Sequence, residues 1–333
     1  MTPPDLASAR RFSVAPMMDW TDRHCRALHR LLTGRALLFT EMVTSAAIVH
    51  GDRERLLGFS PGEHPVAAQL GGSDPTELAE ATRIAADFGY DEINLNVGCP
   101  SDRVQSGRFG ACLMAEPALV ADCVLAMKAA TDRPVTVKCR LGIDDQDTEA
   151  SLDRFADQML AAGADHLYVH ARKAWLKGLS PKENRTIPPL DYPRVYRLAA
   201  RLAPFAISIN GGIESLDAVD EHLRHVGGVM LGRAAYHEPA LLAAADHRIF
   251  GDMERGFDLR VVMVAMANYA ETELSRGVRL NNITRHMLGL ANGRPGARAF
   301  RQILSVDAAR RGAGPEIIVR ALEAVEPAAA VAA

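Results

Sequence analysis

No run in this 333-residue chain stays apolar for the roughly 18 residues that a membrane helix requires. Nor do its first residues carry the apolar segment of a secretory signal. Cysteine is sparse and odd in number: Cys25, Cys99, Cys112, Cys123 and Cys139, with no C-x-x-C pair among them. That excludes a zinc ribbon or a disulfide framework, and it points to reduced thiols in a cytoplasm with no metal site. There is no Walker A motif, no G-x-G-x-x-G after the first strand and no H-E-x-x-H, which removes the common nucleotide-phosphate, dinucleotide and zinc-protease signatures. Lysine is scarce too, at five residues against 33 arginines. Apolar residues make up 48% of the chain, enough for one large core and roughly 80 residues beyond it.

Eight strand-like runs stand out: 13–17 (SVAPM), 37–42 (LLFTEM), 65–72 (PVAAQLGG), 92–100 (EINLNVGCP), 134–142 (PVTVKCRLG), 166–172 (HLYVHAR), 206–212 (AISINGG) and 228–234 (GVMLGRA). Segments of helical period separate most of them, such as 75–88 and 118–130, opened by Asp74-Pro75 and Glu116-Pro117. Strand followed by helix, repeated, predicts a parallel sheet, and eight repeats over about 240 residues predict a closed (β/α)8 TIM barrel. A small all-helical domain follows. The expected boundaries are a catalytic barrel over 12–245, a helical domain over 257–326, and flexible tails at 1–11 and 327–333.

Active sites of such barrels lie at the carboxyl ends of the strands. The last residues of the runs are polar almost every time: Pro16, Met17 and Met18; Glu41; Gln69; Asn94, Asn96 and Cys99; Lys138 and Arg140; His170 and Arg172; Asn210, Gly211 and Gly212; Gly232 and Arg233. A single one of these is an ordinary strand end meeting water. Their convergence on one rim reads as a site. The glycines and arginine ending the last two runs suit a phosphate approached by backbone N–H groups, while Gln69, Lys138 and His170 offer donors to a planar, electron-rich ring such as a flavin. A lone cysteine is more often a small buried residue than a reactive one, but Cys99 sits among these tips.

Two stretches read as polyanion surfaces. Between 276 and 311, eight arginines face one aspartate, a local +7 in a chain whose net charge is −3; such a patch suits nucleic acid. Within it Arg298 and Arg301 share a helix face, opposite Phe300, Ile303 and Leu304. The long segment after the sixth run, K-A-W-L-K-G-L-S-P-K-E-N-R, holds three of the five lysines with Trp175 and Arg185. Loops of that length are functional or disordered.

Taken together, A-P-M-M-D-W-T-D-R from Ala15, T-E-M from Thr40, Q-L-G-G from Gln69, N-V-G-C-P from Asn96, V-K-C-R-L-G from Val137, H-A-R-K-A-W from His170, N-G-G from Asn210 and G-R from Gly232 resemble the tRNA-dihydrouridine synthases. G-R-F-G-A-C-L-M from Gly107, L-S-P-K-E-N-R from Leu179 and T-R-H-M-L-G-L from Thr284 resemble the bacterial A subgroup, which acts on uridines 20 and 20a of the tRNA D-loop. One departure is Cys139 inside V-K-C-R, where the family usually has threonine or an aliphatic residue. The resemblance implies NADPH reducing bound FMN, and reduced flavin passing hydride to C6 of uridine while Cys99 gives a proton to C5. It implies FMN contacts from Pro16, Met17, Met18, Gln69, Lys138, His170, Asn210, Gly211, Gly212, Gly232 and Arg233. For tRNA it implies Asn96, Glu183, Asn184, Arg185, Arg298 and Arg301. The residues alone leave three alternatives: a Schiff-base aldolase using Lys138, a small-molecule pyrimidine reductase, and a binding module without turnover.

Overall fold

A computed structural model describes residues 5–254 and 256–326. By internal contacts the chain forms two units, one running up to Thr21 and resuming over Ala36–Gly232, the other made of Asp22–Arg35 and the chain from Arg233 onward.

The first unit is a closed parallel barrel of eight strands in chain order. They are β1 (Phe12–Val14), β2 (Leu37–Thr44), β3 (Val66–Gly71), β4 (Glu92–Val97), β5 (Val135–Arg140), β6 (His166–His170), β7 (Ile207–Asn210) and β8 (Gly228–Leu231), with β8 pairing back on β1. All eight expected runs are present, several shorter than read. The first stops at Val14 because Pro16 has no N–H to give a ladder. β2 instead runs on to Thr44, and the middle strands keep Gln69, Asn94, Asn96, Lys138, Arg140, His170 and Asn210 in the ladder, losing only the residues beyond these to loops. Helices Pro75–Asp87, Tyr192–Leu202 and Leu216–Leu223 start where side chains of Asp74, Asp191 and Ser215 accept from backbone N–H groups of the first turn.

Alternate residues of each strand face the barrel interior. Leu37, Phe39, Ala67, Tyr168 and Met230 form one buried cluster there with Ala9 and Ala15. Beside them the lining is polar: Glu92, Asn94, Thr136 and Ser208 are all fully buried. Residues 5–11, expected to belong to a flexible tail, are structured instead. Helix Leu6–Ala9 is capped by Asp5, and Arg10 Nε sits 2.7 Å from the Glu92 carboxylate. That partner lies 82 residues away in sequence, out of reach of a local reading.

The second unit takes in helix Arg23–Leu32, which the sequence reading placed in the barrel domain. His24 Nδ1 lies 2.8 Å from Tyr269 Oη, and Arg23 pairs with Glu273. Asp22 caps the helix through His24 and Cys25 N–H and also takes His286 and Arg285. Burial opposes its ionisation, yet the His286 hydrogen bond and charge hold the Asp22 carboxyl well below the ordinary value. Helix Leu259–Ser275 buries Leu259, Val262, Met263, Met266 and Ala270 at helical spacing; Leu274, next in that spacing, is only half-buried, and Glu273 beside it is buried instead, paired with Arg23 and Arg276. Arg298 and Arg301 are exposed on helix Ala297–Gln302, with Phe300 buried behind them. Among the described residues no helix is long and apolar enough to cross a membrane.

Candidate active site

Strand register brings the polar tips of the first unit to one level: Gln69 pairs with Asn94, Asn96 with Lys138, Arg140 with His170, and His170 with Asn210. Gln69 is locked between two asparagines. Its Nε2 donates to Asn94 Oδ1 and its Oε1 accepts from Asn96 Nδ2, both at 2.8 Å.

Cys99 stands just past β4 and is half-buried. Asn96 Oδ1 accepts from the backbone N–H of Gly98 and of Cys99, at 3.1 and 3.0 Å. The Cys99 thiol lies 3.6 Å from Ser101 Oγ. The other four cysteines differ in setting. Cys139, for example, is sealed in the strand's outer face, where burial pushes its thiol up to about 12, so the departure within V-K-C-R is silent in the chemistry.

The mouth of the barrel is rich in cations. Burial, reinforced by Arg140, lowers the Lys138 amine to about 8, and its Nζ donates to Asn210 Oδ1 at 3.2 Å. Burial likewise holds His170 well below its ordinary value, with Arg140, Lys138, Arg172 and Arg185 adding positive potential, so the imidazole is neutral at pH 7. No carboxylate is among the charged groups acting most strongly on either. Such a donor set is made for an anion or an electron-rich ring.

Glycines shape one wall. Gly211 has φ +115°, and a Cβ there would fall 2.5 Å from His170 Cδ2, so only glycine lets this turn approach the imidazole. Half-buried Gly232, by contrast, has nothing closer than Met17 Sδ at 3.8 Å to a Cβ built on it, which leaves room for a ligand group beside the end of β8. Pro16 and Met17 are half-buried after β1, and Met18 is exposed. These features fit a flavin with its phosphate. Arg233 follows Gly232 directly as the first residue of the second unit and opens helix Arg233–His237.

Two residues gain roles that sequence reading missed. The Arg140 guanidinium is spent on carbonyl groups: Nε on Gly98, and Nη1 on Lys173 and Asn184, each at 2.9 Å. Gln105 repeats the link from Pro100 to Leu176. Both tie the Cys99 turn to the loop after β6. In that loop Asn184 is fully buried, accepting from Trp175 N–H and donating to the carbonyls of Trp175 and Leu179. Its side chain therefore shapes the loop and does not reach out for RNA. Arg185 and Glu183 beside it are exposed, the Glu183 carboxylate bonded to Ser180, and Lys173 Nζ lies 5.9 Å from the Trp175 ring centre.

A family model for the dihydrouridine synthases matches residues 13–326. The chain belongs to that family. The chain is 58% identical to the tRNA-dihydrouridine(20/20a) synthase of Xanthomonas axonopodis pv. citri over 317 residues, 95% of this chain and 94% of the relative. It is 56% identical to that of Shewanella oneidensis, covering 95% and 94%, and 56% identical to that of Escherichia coli K12, covering 96% and 93%. A solved 2-naphthoyl-CoA reductase, in complex with 2-naphthoyl-CoA, superposes with a TM-score of 0.54 at 10% identity over 71% of this chain and 49% of that one. The last likeness is one of fold alone. As a dihydrouridine synthase the protein is an oxidoreductase that saturates a uracil ring, and lyase chemistry at Lys138 is set aside.

Proposed function

We propose that this dihydrouridine synthase reduces uridines 20 and 20a in the D-loop of tRNA in the cytoplasm, with FMN as bound cofactor and NADPH as reductant. The observation that carries the reading is the setting of Cys99: a thiol just past β4, its turn pinned by Asn96 and Arg140, next to a mouth where cations dominate the potential at Lys138 and His170. Close identity to synthases named for positions 20 and 20a supports the substrate.

When bound, the flavin supplies two-electron redox chemistry, taking reducing equivalents from NADPH and delivering hydride to C6 of uracil. The rest falls to the chain. Charge builds at C5 and O4 as the double bond is reduced, so an acid must stand within reach of C5. Cys99 holds that proton at Sγ, and the Ser101 hydroxyl at 3.6 Å is placed to relay one from water to the thiolate afterwards. Lys138 and Asn210 offer polar contacts to the ring, and the Lys138 charge stabilises its reduced, electron-rich form. Gln69 and neutral His170 orient it, the residues 16–18 flank it, and the backbone of Gly211, Gly212 and Gly232 with Arg233 receives the phosphate. A stacked base cannot reach this depth, so the uridine leaves the stack to meet Asn96 and Cys99. RNA is held by basic residues in each unit, Arg185 in one and Arg298 with Arg301 in the other.

The test is direct. Purified protein should be yellow and, with NADPH and tRNA lacking dihydrouridine, should add two hydrogens at positions 20 and 20a, mapped by mass spectrometry of nuclease fragments. Reduction of free uridine in preference to tRNA would instead favour a small-molecule pyrimidine reductase.

A further inference from the structure

Both side-chain oxygens of Glu92 are taken: half-buried Arg10 donates through Nε to one, and fully buried Thr136 Oγ1 at 2.6 Å with Tyr168 Oη at 3.1 Å to the other. From Thr136 a line of hydrogen bonds climbs toward the mouth. Asn94 Nδ2 donates to Thr136 Oγ1, Gln69 Nε2 to Asn94 Oδ1, and Asn96 Nδ2 to Gln69 Oε1, all at 2.8 Å. At the top the Asn96 carbonyl receives the backbone N–H of Gly98 and Cys99. Glu92, Asn94 and Thr136 are fully buried, and Gln69 is 1% exposed, so water has no ready access to complete any broken link.

The two ends of this line fix its polarity. A carboxylate only accepts and a backbone N–H only donates, so Thr136 must give its hydroxyl proton downward, and every amide between must point its NH2 toward Glu92 and its oxygen toward Cys99. Turning one amide over would set NH2 against NH2 and oxygen against oxygen in a buried site, where unmade hydrogen bonds are costly.

We infer that Glu92 is a positioning residue for the reaction: acting through Thr136, Asn94 and Gln69, it sets the amide of Asn96 and thereby the turn that carries Cys99. This rests on the reading of Cys99 as proton donor. Arg10, bonded through Nε to the other Glu92 oxygen, holds the line's lower end in place. The line also fixes how Asn96 meets a base. Its oxygen is occupied by two N–H groups and one of its own N–H bonds is spent on Gln69, so it has only a donor left to offer. A base carbonyl satisfies that donor and an exocyclic amino group does not.

Thr136→Val removes the one hydroxyl in the line at nearly constant volume, and Thr136→Ser keeps it. In Thr136→Val, amide hydrogen exchange of Gly98 and Cys99 should speed up at least tenfold, with exchange across β5 unchanged. Flavin content and the rate of flavin reduction by NADPH should stay at wild type while single-turnover uridine reduction falls at least tenfold. Thr136→Ser should restore both within about twofold, and adding Thr136→Val to Cys99→Ala should bring no further loss. Glu92→Gln should repeat the pattern; if it fails to fold, Thr136→Val decides. Wild-type exchange at Gly98 and Cys99 in Thr136→Val, or losses additive with Cys99→Ala, would overturn the inference. Altered exchange in a protein whose wild type leaves tRNA uridine unreduced would sink the proposed function and leave the positioning intact.

Discussion

The backbone N–H of Cys99 donates to Asn96 Oδ1 at 3.0 Å, which binds the thiol's position to the end of a barrel strand. A proton donor held this way is separable from the flavin chemistry. Cys99→Ala should retain flavin and its reduction by NADPH, and dihydrouridine formation should drop by roughly 10²–10⁴, the usual worth of a general acid. Stopped-flow absorbance follows the first step and mass spectrometry of the tRNA the second. Undiminished product would remove Cys99 from the mechanism.

Lys138 titrates at about 8 where a free lysine titrates at 10.5. Without ligand the folded state thus releases its proton first, so this residue's contribution to stability rises as pH climbs from about 8 to 10.5. Ligand binding runs the other way. Charged Lys138, present below about 8, is what an electron-rich ring prefers, so affinity of the flavin-free protein for FMN should be highest there and fall by up to about tenfold per pH unit above it. Fluorescence titration of FMN across that range reads the slope. Lys138→Met should bind more weakly at pH 7 and show no inflection near 8.

Gly211→Ala should be damaging for a steric reason that can be localised. The new methyl would sit 2.5 Å from His170 Cδ2 at a φ of +115°. Strain of this kind costs about 1–3 kcal/mol, and displacement of His170 should lower FMN affinity more than tenfold. Thermal denaturation with and without added FMN separates the two losses, because ligand can rescue stability only if the pocket still accepts it.

Arg298→Ala combined with Arg301→Ala should weaken tRNA binding and reduce the slope of log K against log salt by about 1.5, as for two lost phosphate contacts. Both side chains are exposed, so folding should be unaffected. An unchanged salt slope would remove this helix face from the RNA surface.

Asn184→Ala strips the loop after β6 of its internal ties to Trp175 and Leu179. The backbone groups left behind are expected to open the loop locally, at a cost of about 1–3 kcal/mol. Limited proteolysis should cut between Trp175 and Arg185 faster than in wild type, with the barrel intact.

The barrel was legible because a parallel strand in this fold is an apolar run that ends in a polar residue, and V-T-V-K-C-R or E-I-N-L-N-V announces both the strand and its working tip. Strand limits were less legible. Pro16 and Pro100 sit in runs that look continuous, yet a residue without an N–H cannot extend the ladder. Asn184 illustrates another limit: a polar residue in a basic loop reads as a ligand contact, and only the fold shows its amide turned inward. Arg10 and Glu273 were invisible for the opposite reason, since a charged residue is buried only when its partner arrives, and those partners stand 82 and 250 residues away.

Helix Arg23–Leu32 carries a further consequence, one of timing. His24 and Tyr269 are separated by 245 residues, and a ribosome adding about 5–20 residues each second takes roughly 12–50 s to cover that interval. Throughout it the newborn helix has its buried face, including Cys25, Leu28 and His29, without the companions it was built for. The gene order thus makes the opening stretch of the chain wait for its last third, and a nascent polypeptide stalled midway should be a customer for a holding chaperone.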